Sequence, residues 1–246
     1  MSALISSKWL EGRVIENRHW TDALFSLRVE APRLDFDAGQ FVRIGIEPTL
    51  VRAFSFVNPP EDPVLEYYGI VVPEGPLSPR LAQLRAGDRL LVASNPAGFL
   101  KLSEVPDAET LWLVSTGTGL APFLSILRTE MPWRRFQDIV LVHAVRHARE
   151  LVYQEMIRKI VKEKSLRYVS FVSRETAEGS LAGRIPAAIH DGRLEQAAGL
   201  KLDARSHVML CGNPQMLKDV SGVLAERGLR KHRRRSPGHI TVESFW

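Results

Sequence analysis

The first part of the chain alternates short apolar stretches with turn-forming residues. Six stretches have a β-type pattern, and turn residues such as Asn58-Pro59-Pro60 and Ala86-Gly87-Asp88 separate them. The predicted strands cover residues 14–17, 24–29, 41–46, 52–58, 65–72 and 89–93. Short strands at this spacing predict a small antiparallel β-barrel. One helix is predicted to interrupt them, beginning at Ser78 and continuing through Leu84.

The pattern changes after a polar, proline-containing connection near residues 101–110. Apolar strands are predicted at residues 111–115, 139–145, 168–172 and 206–210, and helices at residues 122–130, 153–164 and 214–227. This alternation predicts a doubly wound parallel sheet, whose ligands bind at the carboxyl ends of the strands. The chain of 246 residues therefore divides into two predicted domains, residues 1–102 and residues 103–246.

A glycine-rich turn links the first strand of the predicted sheet to its first helix. The turn reads Thr116-Gly117-Thr118-Gly119, and Pro122 stands where the common dinucleotide fingerprint has its third glycine. Glycines at this place let backbone amides approach a pyrophosphate at a helix N-terminus. Similar turns also occur without a ligand, but the placement between strand and helix favours a nucleotide site.

Arginines recur just after the ends of successive strands in this second part. Arg146 follows the second strand, Ser173 and Arg174 follow the third, and Arg184 comes soon after. An acidic residue at the end of the second strand is typical of NAD sites, whereas guanidinium groups suit the 2′-phosphate of NADP. A solvated surface position is the alternative for each arginine alone, and their recurrence favours NADP.

Cys211 is the one cysteine of the chain and ends the fourth predicted strand. It lies where the reactive ring of a bound dinucleotide would arrive, but a buried small apolar residue is the equally open alternative. A single cysteine forms no intramolecular disulfide and cannot supply the thiolates of an iron–sulfur cluster. The sequence therefore predicts no metal site.

Two features of the barrel half suit an anionic, aromatic ligand. Arg52 and Phe54 project to one face of a predicted strand and Ser55 to the other, and Ser78-Pro79 begins a helix with free backbone amides. Taken alone, these features are also those of an ordinary strand and an ordinary helix start.

Together, four motifs resemble those of the ferredoxin–NADP reductase family, and most closely its bacterial ferredoxin/flavodoxin–NADP reductases. Arg52-Ala53-Phe54-Ser55 is similar to the Arg-x-Tyr-Ser flavin motif, and Gly75-Pro76-Leu77-Ser78 to the Gly-x-x-Ser motif. Residues 116–122 match Thr-Gly-x-Gly-x-x-Pro, and Cys211-Gly212-Asn213-Pro214 matches Cys-Gly-x-Pro. The resemblance implies a six-stranded FAD barrel followed by an NADP domain whose C-terminal tail returns to the flavin.

The resemblance also implies roles for individual residues. Arg52 and Ser78 are expected at the FAD pyrophosphate, Phe54 and Tyr68 against the isoalloxazine, and Ser55 near the atom that accepts hydride. Ala53 is expected among the FAD-binding residues. Thr116, Gly117, Thr118 and Gly212 are expected around NADP, with Arg146, Ser173, Arg174 and Arg184 at its 2′-phosphate. Cys211 is expected to face the nicotinamide. Ser55, Cys211 and Glu243 are the candidate catalytic residues. Phe54 replaces the more usual tyrosine.

The last residues add a separate hint. Residues 241–246 read as a final strand that carries two large aromatic residues, which favours a docked segment. The resemblance places Phe245 against the flavin ring, Trp246 near the adenine end and Glu243 close to the flavin. A plain strand packed on the core is the alternative.

The implied activity is hydride transfer from NADPH to FAD, followed by single-electron transfer to ferredoxin or flavodoxin. Both carriers are typically acidic, and Lys231 with the arginines at 233–235 is a candidate basic surface within a net charge of +5. A monomer is expected. The chain has no apolar stretch of membrane-spanning length and no secretory signal pattern, so a cytoplasmic location is predicted.

Three other functions fit parts of this pattern. The first is an NAD(P)H:flavin reductase, or a reductase component that serves an oxygenase. The second is a module that senses redox state by binding a dinucleotide. The third is a nucleic-acid binder using the basic C-terminal residues, which the missing aromatic interleaving disfavours.

Overall fold

A computed structural model describes residues 4–6 and 8–244 of the chain. Its first sheet consists of antiparallel strands in the order β5-β4-β7-β2-β3-β6, with the short β1 added to β2. The strands are β1 Leu4–Ser6, β2 Trp9–His19, β3 Leu24–Glu30, β4 Phe41–Glu47, β5 Leu50–Ser55, β6 Val64–Ile70 and β7 Arg89–Ala93. The antiparallel barrel of six strands is confirmed, and β1 was not predicted.

The barrel closes where the chain leaves β5 and meets β6. Phe56 forms an antiparallel bridge with Tyr67, and the amide of Val57 donates to the carbonyl of Glu66 at 2.9 Å. Phe56 and Tyr67 are almost fully buried in the barrel core. This short bridge is much weaker than a full strand ladder, so it leaves the rest of the β5 edge open.

A short helix, α1 (Ser78–Ala82), covers one end of the barrel. Leu81 points into the barrel core, and the side-chain amide of Asn17 donates to the carbonyls of Ala82 and Leu84 at 3.0 and 2.8 Å. The sequence predicted that this helix continues through Leu84, which is wrong. Asn17 satisfies the last carbonyls instead of a further helical turn.

The second sheet has only parallel pairings among the described strands, in the order β11-β10-β9-β8-β12-β13. Its strands are β8 Thr110–Thr116, β9 Asp138–Val145, β10 Arg167–Val172, β11 Leu181–Ala182, β12 Ser206–Gly212 and β13 Ile240–Ser244. The helices are α2 Ala121–Leu127, α3 Met131–Arg135, α4 Gln154–Lys164, α5 Ile185–His190, α6 Arg193–Ala198 and α7 Pro214–Glu226. The predicted doubly wound fold is confirmed.

Helices cover both faces of this sheet, as alternating side chains require. Leu111, Leu113 and Leu141 share one core with α2 and α4, whereas Trp112 and Val140 share the other with α5, α6 and α7. The predicted helix at residues 122–130 ends instead at Leu127, and α4 begins after Tyr153, whose φ of 59° is left-handed. A residue with this left-handed backbone conformation does not continue a right-handed helix.

The two sheets are joined by a shared core and by hydrogen bonds. Leu24, Val57 and Tyr68 of the barrel belong to the same buried cluster as α2 and α4. The hydroxyl of Ser125 donates to the carbonyl of Asn58 at 2.7 Å. The predicted division between residues 102 and 103 falls in the segment that links β7 to β8, and it stays a prediction.

Candidate active site

Two turns meet where the strand order of the parallel sheet reverses. From β8 the chain runs through β9 and β10 towards one edge, while β12 and β13 lie on the other side of β8. Such a switch point opens a crevice at the carboxyl ends of the two central strands. Thr116 ends β8, and its hydroxyl accepts a hydrogen bond from the amide of Asn213, just past β12, at 3.0 Å. The predicted glycine-rich turn and the Cys211–Pro214 segment are therefore neighbours.

Glycine is required at these positions of the two turns for different structural reasons. A Cβ on Gly119 would lie 2.4 Å from the carbonyl oxygen of Cys211, and one on Gly212 would lie 2.2 Å from the Thr116 hydroxyl. Both glycines thus let the two turns touch. Gly117 has a φ of 53°, and a Cβ there would have open space around it. Of the turn's two glycines, Gly117 faces open space and Gly119 packs against protein.

Cys211 is completely buried at the end of β12. It pairs in register with Ser115 of β8 and with Glu243 of β13. Burial, and secondarily the nearby Glu243 carboxylate, raise the pKa of the Cys211 thiol well above its usual value. The side chain is therefore a neutral thiol at physiological pH, not a thiolate nucleophile.

Glu243 is the buried carboxyl group of the crevice. It accepts a hydrogen bond from the backbone amide of Phe99, and burial raises its pKa to about 7. Its Oε1 atom has no hydrogen-bond partner within the described part of the chain. A buried oxygen left unpaired is costly, so the position fits a bound group that donates a hydrogen bond.

A chain of contacts connects Glu243 to the flavin motif of the barrel. A Cβ on Gly98 would lie 2.9 Å from Oε2 of Glu243 and 3.1 Å from the ring of Phe41. Phe41 is in turn the strand partner of Ser55. Residues on the two sheets are therefore brought to one crevice, although Ser55 and Glu243 are far apart in the sequence.

The barrel side of this crevice also holds unpaired polar atoms. The hydroxyls of Ser55 and Tyr68 are buried and have no hydrogen-bond partner among residues 8–244. Phe54 is half-buried, and a Cβ on Gly69 would lie 3.0 Å from its ring, so the ring packs against the backbone of β6. Orphaned hydroxyls beside aromatic rings fit a planar ligand with polar edges, as FAD is.

Arg52, Ala53 and Ser78 differ in what they contact. Arg52 and Ala53 are exposed, and Arg52 donates to the neighbouring carbonyl of Val51 at 2.8 Å. The Ser78 hydroxyl accepts a hydrogen bond from the amide of Val72 at 2.8 Å, which holds the loop before α1. Their roles at a pyrophosphate stay predictions.

Two of the predicted phosphate-binding arginines, Arg146 and Arg174, are neighbours along their backbones. The amide of Arg174 donates to the carbonyl of Arg146 at 3.0 Å, and Ser173 donates to Val145 through both its amide and its hydroxyl. Arg184 follows β11, which pairs with β10. All three arginines are exposed, and within the described ranges none forms an ion pair. Exposed guanidinium groups without an ion-pair partner are suited to bind a phosphate dianion, and the assignment of these three arginines stays a prediction.

The neighbouring carboxylates bind backbone amides of the turn that follows β9. Glu150 accepts hydrogen bonds from the amides of Arg146 and His147, and Glu175 accepts one from the amide of Ala148. Both carboxylates thus order the turn that follows β9. Within the described residues, neither carboxylate forms an ion pair with Arg146, Arg174 or Arg184.

One residue of the basic segment at residues 231–235, Arg234, reaches a loop that contacts the same crevice. Arg234 forms a two-pronged ion pair with Glu104, with N–O distances of 2.7 and 2.8 Å. Its guanidinium group also lies 4.7 Å from the ring centre of Phe99, whose own amide binds Glu243. Phe99 is 63% exposed. The sequence analysis missed Phe99 and Glu104, because both belong to loops without a motif.

A separate groove lies away from this crevice. A groove of about 1060 Å³ runs between the barrel and the α2–α4 region, lined among others by Arg18, Trp20, Arg128, Trp133 and Tyr153. It contains none of the predicted site residues. Phe245 and Trp246 lie outside the described residues. Within the part that is described, no group of His, Cys, Asp and Glu side chains has the arrangement of a metal site. No helix there is long and apolar enough to cross a membrane.

Fold and site together define a class of two-domain oxidoreductases, in which an antiparallel barrel faces a doubly wound nucleotide-binding sheet. Residues 113–222 match the family model of the oxidoreductase NAD-binding domain. The chain belongs to the flavodoxin/ferredoxin–NADP reductase family. It is 52% identical to the flavodoxin/ferredoxin–NADP reductase of Shigella flexneri, with 97% of this chain and 99% of that protein covered.

Two further comparisons agree. The chain is 51% identical to the enzyme of the same name from Escherichia coli K12, over 97% of this chain and 99% of the relative. It also superposes on the crystal structure of a ferredoxin NADP+ reductase from Neisseria gonorrhoeae with bound FAD and NADP. The TM-score is 0.93 and the identity 34%, with 98% of this chain and 100% of that chain covered. The resemblance stated from the motifs is confirmed.

Proposed function

We propose that this protein is an FAD-dependent reductase that oxidises NADPH and passes electrons singly to ferredoxin or flavodoxin. The observation that carries the proposal is the crevice between the two sheets. The proposal is supported by the unpaired buried oxygens of Ser55, Tyr68 and Glu243, and by the pairing of Glu243 with Cys211 of the nucleotide-type turn. Family membership supports the same activity.

FAD, when bound, accepts a hydride and releases electrons one at a time, which is the chemistry a nicotinamide alone does not supply. The residues of the chain bind the flavin and the nicotinamide nucleotide and orient their rings. Phe54 and Tyr68 offer ring surfaces, and the Ser55 hydroxyl offers a hydrogen bond that no protein group takes. Arg52 and Ser78 are proposed to bind the pyrophosphate. Holding two rings in near-attack contact and excluding water are the main protein contributions.

NADPH is proposed to enter from the parallel sheet. The turn of Thr116, Gly117 and Thr118 receives its pyrophosphate, and Gly212 keeps the neighbouring turn close. Arg146, Arg174 and Arg184, with the hydroxyl of Ser173, bind the 2′-phosphate. The buried Cys211 thiol packs beside the nicotinamide as a neutral, compact group.

The electron acceptor is proposed to be an acidic protein that docks on the basic segment. Arg234 is already compensated by Glu104, so Lys231, Arg233 and Arg235 supply most of the attraction. Phe99 adds an exposed aromatic surface beside Glu243. The protein is proposed to work as a monomer in the cytoplasm. Phe245 is proposed to cover the flavin and Trp246 to lie near its adenine end.

The decisive experiment measures NADPH-driven reduction of ferredoxin, flavodoxin and free flavin by the FAD-loaded protein. Efficient reduction of ferredoxin or flavodoxin is expected. Fast reduction of free flavin with neither carrier reduced would instead identify a flavin reductase.

The NADP assignment has its own test. Arg174→Ala and Arg184→Ala are each expected to raise the KM for NADPH about tenfold or more and leave NADH turnover nearly unchanged, because only NADPH carries the lost phosphate contact. Arg158→Ala, an exposed arginine of α4, is the control for the loss of one positive charge. Equal losses with both nucleotides would refute the assignment.

A further inference from the structure

A fully buried histidine lies directly beneath the glycine-rich turn. His143 belongs to β9 and pairs in register with Ser115, the residue before Thr116 in β8. Its side chain is inaccessible to solvent, and its Nε2 atom is 3.3 Å from the carbonyl oxygen of Gly117. The imidazole therefore supports the turn from the interior of the sheet.

The chemistry of this contact fixes which ring nitrogen carries the proton. Burial lowers the pKa of His143 to about 4, so the ring is neutral at physiological pH and has a single N–H. A carbonyl oxygen only accepts hydrogen bonds, so Nε2 must be the donor. Nδ1 is buried and has no partner in the described part of the structure, since the Ser115 hydroxyl donates to Val142 instead.

The direction of one carbonyl sets the direction of the next amide. In a trans peptide the C=O of one residue and the N–H of the next point opposite ways, and the described residues include no cis peptide. With the Gly117 carbonyl held towards His143, the amide of Thr118 points away from the sheet interior. That is the side from which a ligand enters the crevice.

Gly117 begins a single 3-10 turn, Gly117–Leu120, and has no side chain that packing could fix. Its φ of 53° is left-handed, and a Cβ at this position would meet no atom within 4 Å. The next glycine, Gly119, is fixed by its contact with Cys211. The His143 contact is thus a side-chain interaction that reinforces the 3-10 turn in orienting its exposed half.

We propose that His143 is a positioning residue for nicotinamide nucleotide binding, which holds the Gly117 carbonyl inward so that the Thr118 amide meets the nucleotide's phosphates. The proposal rests on the proposed function, since it needs a nucleotide at this turn. His143 touches neither cofactor nor reacting atoms. Its effect is therefore expected in nucleotide affinity and not in the rate of the chemical step.

The chain provides a matched control in His207. This histidine is also buried in the parallel sheet, and its pKa is likewise lowered, to about 3. Its Nε2 is 2.9 Å from the Thr241 hydroxyl, and its Nδ1 is unpaired among the described atoms. However, His207 pairs with Leu111 near the start of β8. It therefore lies at the amino ends of the strands, whereas Gly117 follows their carboxyl ends.

The experiment compares His143→Phe, His143→Leu, His143→Gln and His207→Phe in the FAD-loaded protein. KM for NADPH, Kd for NADP+, kcat with ferricyanide at saturating NADPH, and the midpoint of urea unfolding are measured. Removing the donor at position 143 is expected to raise KM and Kd about tenfold with kcat within about twofold, as the loss of one hydrogen bond implies. His143→Gln keeps a donor and is expected to restore most of the affinity.

His207→Phe is expected to lower the unfolding midpoint without changing KM. Unchanged KM in His143→Phe and His143→Leu, or equal changes in His207→Phe, would overturn the proposal. Wild-type protein that fails to oxidise NADPH would instead refute the proposed function itself. Nitrogen NMR of the unmodified protein gives an independent readout: an Nδ1–H tautomer of His143 would overturn the inference without any variant.

Discussion

Gly119 shows how little room separates the two turns of the candidate site. A methyl group there would lie 2.4 Å from the Cys211 carbonyl oxygen, which is backbone and cannot rotate away. The turns would have to separate for any side chain to fit. The residue is therefore required by packing between β8 and β12, before any ligand is considered.

Gly119→Ala is accordingly expected to destabilise the protein by about 1–3 kcal/mol, the usual penalty for overpacking, and to weaken NADPH binding. Gly222→Ala is the control, because this glycine of α7 has no atom within 4 Å of an added Cβ. Alanine there is expected to be neutral or to stabilise the helix by up to about 1 kcal/mol. Urea unfolding of both variants measures the difference, and equal stabilities would contradict the steric argument.

Glu243 gives a prediction with a definite pH direction. Its folded-state pKa is raised from 4.5 to about 7, so the folded protein holds the proton more tightly than the unfolded chain. The contribution of Glu243 to the free energy of unfolding is fully present below about pH 4.5. It is lost as the pH rises towards 7. Ionising a buried carboxyl group opposes folding.

Glu243→Gln removes this titration. The variant is expected to gain stability relative to the wild type between pH 5 and pH 8, by an amount on the order of 1–3 kcal/mol. Comparing urea unfolding of the two proteins at both pH values cancels the groups they share. A stability difference that does not change with pH would show that Glu243 is ionised in the folded protein throughout.

At the residue scale, the sequence predicted that Arg146 and Arg174 are neighbours, but it did not predict the structural role of the glycines. Arg146 and Arg174 lie together because both follow parallel strands that end at the same edge. The contact between Gly119 and Cys211 joins residues far apart in the chain, so no local pattern announces it. Phe99 and Glu104 escaped notice for the same reason.

At the scale of elements, the length of each helix or strand decided whether the sequence could predict it. The central strands and α4 and α7 carry enough apolar positions to show their period. In contrast, α3, α5 and α6 have five or six residues each, and β11 has two. Fewer than two helical turns cannot display a 3.6-residue repeat, so these elements were missed.

The segment at residues 231–235 allows a prediction about association. Arg233→Gln and Arg235→Gln are expected to raise the KM for the protein acceptor several-fold at low salt and to reduce its dependence on ionic strength, because exposed charges act mainly by steering. Arg234→Gln is expected to have a smaller long-range effect, since Glu104 already neutralises that charge. Reduction of ferricyanide by the same variants serves as the control.

If the KM for the protein acceptor depends on salt in all three variants as it does in the wild type, this segment is not part of the docking surface. An effect on ferricyanide reduction as large as that on the protein acceptor would point to a disturbed flavin site instead.

At the scale of the whole molecule, the two halves behave as one packed unit. Tyr153 donates from its hydroxyl to Glu66 across the interface at 2.9 Å, and Arg128 lies 3.7 Å from the same carboxylate. The Tyr153 ring also packs edge-on against Tyr68, with centres 5.4 Å apart. The groups that orient one half against the other thus touch a residue of the candidate flavin site.

Tyr153→Phe is expected to destabilise the protein by about 1–3 kcal/mol, because the largely buried Glu66 loses its hydrogen-bond donor. Unfolding is expected to stay a single transition by fluorescence and circular dichroism, since the halves share a core. Tyr168→Phe is the control: this hydroxyl accepts a bond from Gln154 within one half, at 2.9 Å. Two separate transitions in the wild-type protein would show that the halves fold independently.

The sequence predicted both halves but not how they fit together. Strand spacing and helix period are local properties, and four motifs indicated which edges face the ligands. The pairing of Tyr153 with Glu66 joins residues with no shared motif, and the left-handed backbone at Tyr153 has no sequence signal. Contacts between domains depend on surface shape, which a one-dimensional pattern does not contain.

The burial of the single thiol makes the protein well suited to site-directed labelling. Maleimide reagents need an accessible thiolate, and Cys211 offers neither access nor charge. A cysteine introduced at an exposed position outside the proposed docking surface, such as Glu163→Cys on α4, would be modified selectively without removing the native one. Fluorophores or spin labels attached there would report the distance to a bound electron carrier in an otherwise unaltered enzyme.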